Sequence, residues 1–163
     1  MRPSGLTLLV ASVPLAMAPP AQMPGAIVKP SAQQTVQNQG AIVWGTVVSD
    51  PNSMWSSSNP TRLTVTASSG AGRYVVSVSF QGATAGQSGI LQIFKNGASP
   101  SSTPLGAHTF TPWNSGTKPA ETLEVLDQAI VGDYYEVRIV NAVLPPNGVQ
   151  VDPVTRFALQ RVD

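Results

Sequence analysis

The sequence contains, at positions 72–80, the stretch Gly72-Arg73-Tyr74-Val75-Val76-Ser77-Val78-Ser79-Phe80. Every second side chain falls on the same side of an extended backbone. The more apolar side consists of Tyr74, Val76, Val78 and Phe80. A period of two residues is typical of a β-strand with one buried and one wetter face. The stretch therefore predicts a strand that contributes four large side chains to a core.

Similar strand signals recur on both sides of this stretch and are separated by turn residues. They occupy residues 41–48, 62–67, 90–94, 107–111, 121–131, 134–139 and 155–162. The pair Asn96-Gly97 predicts a tight turn, and Gly132-Asp133 predicts another. Residues 121–131 fit a helix or a strand by pattern, and we choose a strand because a turn and an alternating segment follow directly. Eight or nine strands without a convincing helix indicate an all-β fold, an antiparallel sandwich or jelly roll.

The composition excludes several classes of function. The chain has 163 residues, 10% of them charged, against about 25% in an average soluble domain. A net charge of +1 gives no basic surface for nucleic acid. The absence of Cys excludes disulfides, thiolate catalysis and Cys-based zinc sites, and His108 is the one histidine. Neither a nucleophile elbow nor a phosphate-binding or dinucleotide-binding motif occurs, so we predict a protein that is not an enzyme and has no cofactor.

The N-terminal quarter of the chain differs from the remainder in charge and in amino-acid composition. Residues 1–40 hold two basic side chains, Arg2 and Lys29, and no acid. Four prolines between positions 19 and 30 disfavour a helix and favour extended backbone. We therefore predict two parts: an extended arm at 1–40, without a core of its own, and a β-domain at 41–163.

The start of this arm is apolar and has features of a secretory signal, namely Arg2, an apolar run and a small-residue site at Ala16-Met17-Ala18. The run is too short to span a bilayer, so no membrane span is expected. We interpret it as an anchor, and a cleaved signal is the alternative. The side chains expected to anchor the arm are Leu6, Leu8, Leu9, Val10, Val13 and Leu15.

The order of four motifs resembles a known family. These motifs are Asn59-Pro60-Thr61-Arg62-Leu63-Thr64-Val65, the stretch at 72–80, Ile93-Phe94-Lys95-Asn96-Gly97 and Gly132-Asp133-Tyr134-Tyr135-Glu136-Val137-Arg138-Ile139. In sequence order they are similar to the C1q/TNF-like jelly rolls, in the version common among tailed-phage virion proteins. The resemblance covers residues 41–163.

The resemblance implies a ten-strand sandwich that packs as a homotrimer and serves in display and recognition. We therefore expect a virion structural protein on the particle surface: a head decoration protein, head spike or fibre component. Residues 1–40 would bind other capsid or tail proteins, and the body would contact a host cell-surface glycan. The alternative is a secreted bacterial carbohydrate-binding module with a cleaved signal peptide.

The sequence also predicts structural or binding roles for several individual residues. We expect Gly72 and Gly132 to permit turn backbone, Tyr74 to combine core area with a polar tip, and Asp133 to cap its turn. Trp55 and Trp113 stand in expected loops and are candidates for ligand or partner contact, or for capping the sandwich ends. Two pairs, Asp50 with Asn52 and Asp127 with Asp133, leave a calcium site open as an alternative to our expectation of no metal.

Overall fold

The computed structural model describes residues 23–97, 102–112, 120–143 and 148–163. Within these ranges all regular secondary structure is β. The twelve strands are β1 (Gly25–Lys29), β2 (Gln34–Val36), β3 (Gly40–Ala41), β4 (Thr46–Ser49), β5 (Arg62–Thr64), β6 (Gly72–Phe80), β7 (Ser88–Lys95), β8 (Gly106–Phe110), β9 (Glu121–Ala129), β10 (Tyr134–Val143), β11 (Val149–Val151) and β12 (Arg156–Arg161).

The strands form two large antiparallel sheets and one small one. Sheet I has the order β4-β1-β12-β6-β9. Sheet II has the order β3-β10-β7-β8, and β5 pairs with β10 on the same side as β3. The two short strands β2 and β11 pair with each other. Each large sheet thus has five strands, which agrees with the all-β antiparallel sandwich expected from the sequence.

The core lies between the two large sheets and is built from the alternation seen in the sequence. In β6 the four side chains expected to be buried, Tyr74, Val76, Val78 and Phe80, are at most 1% exposed. Each enters the interior because a strand sends alternate side chains to opposite faces. The same alternation in β12 buries Phe157 and Leu159.

The predicted boundary between residues 40 and 41 is wrong. Strand β1 lies inside sheet I, paired with β12 on one side and β4 on the other. Its side chains Ala26 and Val28 are buried in the common core. Pro24 and Pro30 bracket β1 without entering it, and proline is tolerated at strand ends because it removes no ladder hydrogen bond there. The described residues of the expected arm therefore belong to the β-domain.

The strand predicted at residues 41–48 is also wrong in detail. Its two ends belong to different sheets, since β3 pairs with β10 and β4 pairs with β1. Trp44 lies between them, fully buried, with its ring 5.2 Å from that of Phe157. This crossing segment closes one side of the sandwich.

Of residues 121–131, which fitted a helix or a strand by pattern, 121–129 form strand β9, and all nine residues of β9 pair with β6. No helix long and apolar enough to cross a lipid bilayer occurs among the described residues.

Candidate functional site

The outward side of sheet I forms a continuous surface, here called the outer face. The register places its side chains in rows that cross β1, β12, β6 and β9. One row is Gly25, Gln160, Val75 and Leu126, and the next row is Ile27, Ala158, Ser77 and Glu124. These side chains are small or apolar over most of the surface, which suits close contact with another protein.

Several apolar side chains on or beside the outer face are open to solvent. Leu126 is 60% exposed and Met23, just before β1, is 56% exposed. A shallow groove of about 140 Å³ runs beside Gly25, and Met23, Ile27 and Ala158 contribute to its walls. The outer face therefore presents a groove as well as exposed apolar side chains to a partner.

Charged groups surround the small and apolar rows of the outer face, and one of them, Arg73 on β6, forms an exposed ion pair with Asp163. Glu124 is exposed on β9, the last strand of sheet I. Lys29 and Arg156 stand at the ends of β1 and β12, which are the second and the middle strands of sheet I. Among the described residues, none of these three side chains has an ion-pair partner.

A cluster of ionised groups joins the two sheets at the end of β7. The Nζ of Lys95 lies 2.9 Å from Oδ2 of Asp127 and 3.0 Å from Oδ2 of Asp133, and it donates to the carbonyl of Gln128 at 2.6 Å. These contacts use all three ammonium protons. The hydroxyl of Tyr135 donates to Asp127 at 2.7 Å.

The cluster shifts the pKa values of its members. Burial lowers the pKa of Lys95, but hydrogen bonds and attraction to the two aspartates outweigh it and raise that pKa above its usual value. Burial raises the pKa of Asp133, yet hydrogen bonds from the Ile130 amide and other neighbours hold it below the ordinary range. Burial, followed by the bond to Asp127, raises the pKa of Tyr135 well above its usual value. All three groups are thus held in the protonation state that the cluster requires.

The Lys95 cluster contains one of the two residue pairs that left a calcium site open, Asp127 with Asp133. Asp127 and Asp133, which the sequence offered as cation ligands, are bridged by the Lys95 ammonium. In the other pair, the Asp50 carboxylate accepts hydrogen bonds from the amides of Met54 and Trp55, and Asn52 accepts one from the amide of Gly25. In the described ranges, no group of three or more His, Asp or Glu side chains is placed to hold a metal ion.

A second link joins the edges of the two sheets. His108 on β8 places its Nε2 2.9 Å from Oε2 of Glu121 on β9. Nearby, Gly106 packs so closely on β9 that an added Cβ would collide with Val125. The single histidine therefore has a structural partner in this chain.

The two turns predicted at Asn96-Gly97 and Gly132-Asp133 are present, but the turn expected at Gly72 is not. Asn96 and Gly97 have φ values of 57° and 91°, and Gly132 has a φ of 97°. The Asp133 carboxylate accepts from the Ile130 amide at 3.0 Å and from Asn96 Nδ2 at 2.8 Å. The expectation for Gly72 is wrong, because Gly72 is the first residue of β6 and the positive φ belongs to Gly70.

Tyr74 combines burial with a satisfied hydroxyl. Its ring is fully buried, and its hydroxyl donates toward the carbonyls of Ser69 at 3.1 Å and Gly70 at 2.6 Å. The side chain thus fixes the turn before β6 to the core.

Trp55 does not form an open aromatic platform. It is half-buried, packs against the hydrophobic core and pairs with Leu63 at the edge of sheet II. Its indole Nε1 is enclosed and has no hydrogen-bond partner. Of the two candidate tryptophans, Trp55 therefore contributes to packing, and Trp113 lies outside the described residues. The expected anchor residues also lie outside them: Leu6, Leu8, Leu9, Val10, Val13 and Leu15.

The outward side of sheet II carries a polar arrangement that the sequence did not reveal. Glu136 is only 8% exposed and accepts hydrogen bonds from Thr61 at 2.9 Å and Arg138 at 3.1 Å. The guanidinium of Arg62 lies 4.3 Å from the centroid of the Tyr134 ring. The register that brings these groups together spans more than 70 residues of sequence, so no local pattern could have indicated it.

Comparison with known proteins agrees with this architecture. The chain resembles the globular domain of the zebrafish complement 1qA protein, with a TM-score of 0.62 and 13% identity. The match covers 86% of this chain and 98% of that domain. No protein-family model matches the sequence, and no curated protein matches it. The chain thus has the C1q-like jelly-roll fold that the order of its motifs predicted.

Proposed function

We propose that this chain is a non-enzymatic binding module that assembles as a homotrimer on the surface of a bacteriophage or phage-like particle. In this role it is a head decoration protein, a head spike or a fibre component. The observation that carries the proposal is the outer face of sheet I, whose two central rows are mostly small and apolar and whose charges surround these rows. Stable interfaces between identical subunits have this arrangement of apolar centre and polar rim.

The amount of exposed apolar side chain supports self-association. Leu126, Met23 and Val162 are all exposed on or beside the outer face. Exposed apolar side chains that gather on one face of a protein favour an interaction site there. Because the rows of the outer face also contain Gly25 and Ala158, two backbones can approach closely there.

The C1q-like fold and the phage-type order of motifs support the trimer and the virion role. Attachment to the particle is assigned to the apolar residues before Met23, since the described residues from Gly25 onward are occupied in the β-domain. The body is then free to face outward and to contact a host cell-surface glycan.

The oligomeric state tests the proposal directly. Light scattering coupled to gel filtration should give three times the mass of 17.0 kDa for the full chain. Leu126→Glu should shift this species toward monomer, because it places a charge in an apolar row of the outer face. Val154→Glu is the matched control, since Val154 is 55% exposed but lies in the turn before β12, away from the outer face. A monomer at 100 µM wild-type protein would contradict the homotrimer.

Attachment is tested by deletion of residues 2–22. The shortened protein should remain folded and trimeric but should no longer co-purify with particles. Normal occupancy on particles would place the attachment surface on the β-domain instead.

A second candidate is a secreted module that binds neutral carbohydrate. It is favoured by uncharged amides and a hydroxyl at the β2–β11 end, where the Gln150 side-chain oxygen accepts from both Gln33 and Thr84. Amide and hydroxyl groups are suited to sugar hydroxyls. The intact mass of the native protein separates the two candidates, because loss of the segment through Ala18 indicates secretion.

A further inference from the structure

We infer that Glu124 of one copy forms ion pairs with Lys29 and Arg156 of the next copy in the assembly. This inference rests on the proposed self-association through the outer face and adds the residues that set the arrangement of neighbouring subunits. Three observations carry it: an unpaired cationic pair, an unpaired carboxylate, and their placement on one face, with the carboxylate on the edge strand β9 and the cations on β1 and β12.

The cationic pair comes from the register of β1 and β12. Val28 pairs with Phe157, so the register continued by one residue places Lys29 opposite Arg156. Like charges on directly opposite residues of antiparallel strands destabilise the pair. No described acidic side chain forms an ion pair with either cation. This position therefore favours an anionic group supplied from outside the chain.

Glu124 cannot supply that group within its own chain. It lies on β9, which is two strands from β12 and three strands from β1 in sheet I. With strands about 4.8 Å apart, these separations are about 10 Å and 14 Å across the sheet, and Glu124 is also one row displaced from Arg156. Glu124 is exposed and makes no ion pair among the described residues.

Cyclic assembly can bring the carboxylate of one copy to the cations of the next. In a closed ring each subunit presents one surface to the neighbour ahead and a different surface to the neighbour behind. Rotation about an axis parallel to the strands leaves every residue at the same height along them. The Glu124 row and the Arg156 row are adjacent in height, so an assembly in which the β9 edge of one copy packs against β1 and β12 of the next brings the opposite charges together.

The pairing predicts a specific pattern of charge reversal. Glu124→Lys, and separately the double variant Lys29→Glu with Arg156→Glu, should each raise the concentration for half-dissociation of the assembly at least tenfold. Combining all three changes should restore that concentration to within about threefold of wild type, because the pair is re-formed with its signs exchanged. Analytical ultracentrifugation of the full chain over a dilution series measures these values. Circular dichroism of each variant checks that the β-domain is folded.

A matched control adds the same charge elsewhere on the same strand. Gln128 is exposed on the outward side of β9, four residues from Glu124. Gln128→Lys should not be rescued by the Lys29→Glu and Arg156→Glu changes, since it lies too far along the strand.

The outcomes separate this inference from the proposed function. A wild-type trimer whose dissociation is unchanged by the single reversals, or is not restored in the combined variant, overturns the ion pairs and leaves the trimer standing. A wild-type monomer overturns both. Restoration specific to Glu124 supports both.

Discussion

The Nζ of Lys95 and the Oδ2 of Asp127 lie 2.9 Å apart and tie β7 of sheet II to β9 of sheet I. Both side chains are mostly shielded from water, with exposed fractions of 24% and 21%. An ion pair in such a place is costly to break, because the remaining charge keeps its burial without its partner. The two sheets are therefore joined by a directional contact in addition to the apolar core.

Lys95→Met should lower the free energy of unfolding by about 2–3 kcal/mol, because it leaves two partly buried carboxylates without their cation. Arg73→Met is the control, since its ion pair with Asp163 is exposed and should contribute less than about 1 kcal/mol. Urea unfolding of both variants measures the difference. Equal effects would mean that the Lys95 cluster is solvated like the surface pair.

Acid should destabilise the protein partly through Asp133. Its pKa is held below the ordinary value in the folded state, so its contribution is present above about pH 4 and is lost as pH falls through the folded-state pKa. Asp133→Asn should be less stable than wild type at pH 7, and this deficit should shrink toward pH 2. Thermal melting between pH 2 and 7 measures the trend. A deficit that stays constant would contradict the assignment.

Tyr74→Ala should destabilise the protein by roughly 3–5 kcal/mol, since a fully buried aromatic ring is removed from the core. Tyr74→Phe separates the ring from its hydroxyl and should cost about 1 kcal/mol, the value of a typical buried hydrogen bond. Chemical denaturation of the two variants gives both numbers. A loss below 1 kcal/mol for the alanine variant would show that this side of β6 is not packed as described.

Gly97 and Gly132 have similar positive φ values, so alanine substitutions at the two positions can be compared directly. Their φ values are 91° and 97°, but an added Cβ would lie 2.8 Å from the Tyr134 hydroxyl at Gly97 and would meet nothing within 4 Å at Gly132. Gly132→Ala should cost about 1–2 kcal/mol from backbone strain alone. Gly97→Ala should cost more, because the Tyr134 ring must also move. The reverse order of melting temperatures would contradict the geometry at Gly97.

Two truncations test the corrected domain boundary. A protein that begins at Met23 should retain the cooperative unfolding of the full chain. A protein that begins at Ala41 should not fold, because it lacks β1, which supplies ladder hydrogen bonds to β4 and β12. Circular dichroism during heating distinguishes them. A cooperative transition in the shorter protein would restore the boundary predicted from the sequence.

The sequence indicated the elements whose evidence is local. The alternation at 72–80 and the Gly132-Asp133 turn depend on neighbouring residues, and both lie where they were expected. The prediction failed for β1 because composition, rich in proline and glutamine, outweighed an alternation of only five residues. That strand is stabilised by partners more than 100 residues away, such as Ala158 opposite Ile27.

The contacts between strands and the candidate interaction surfaces were harder to predict from the sequence. Trp55 stood in an apparent loop, and only the bridge to Leu63 shows that its indole is packing. The Lys95 cluster combines residues from β7 and β9, whose proximity depends on how the two sheets stack. The outer face required the register of four strands before Glu124 and Arg156 could be placed on one surface.

The position of β1 has a mechanical consequence. Force applied through the chain before Met23 acts along β1, which is held by hydrogen bonds on both sides. Such a load shears two ladders at once, whereas a terminal edge strand would peel away bond by bond. A tether at this end therefore pulls on a strand that is paired on both sides, so tension on it is opposed by β4 and β12 together before the domain can open.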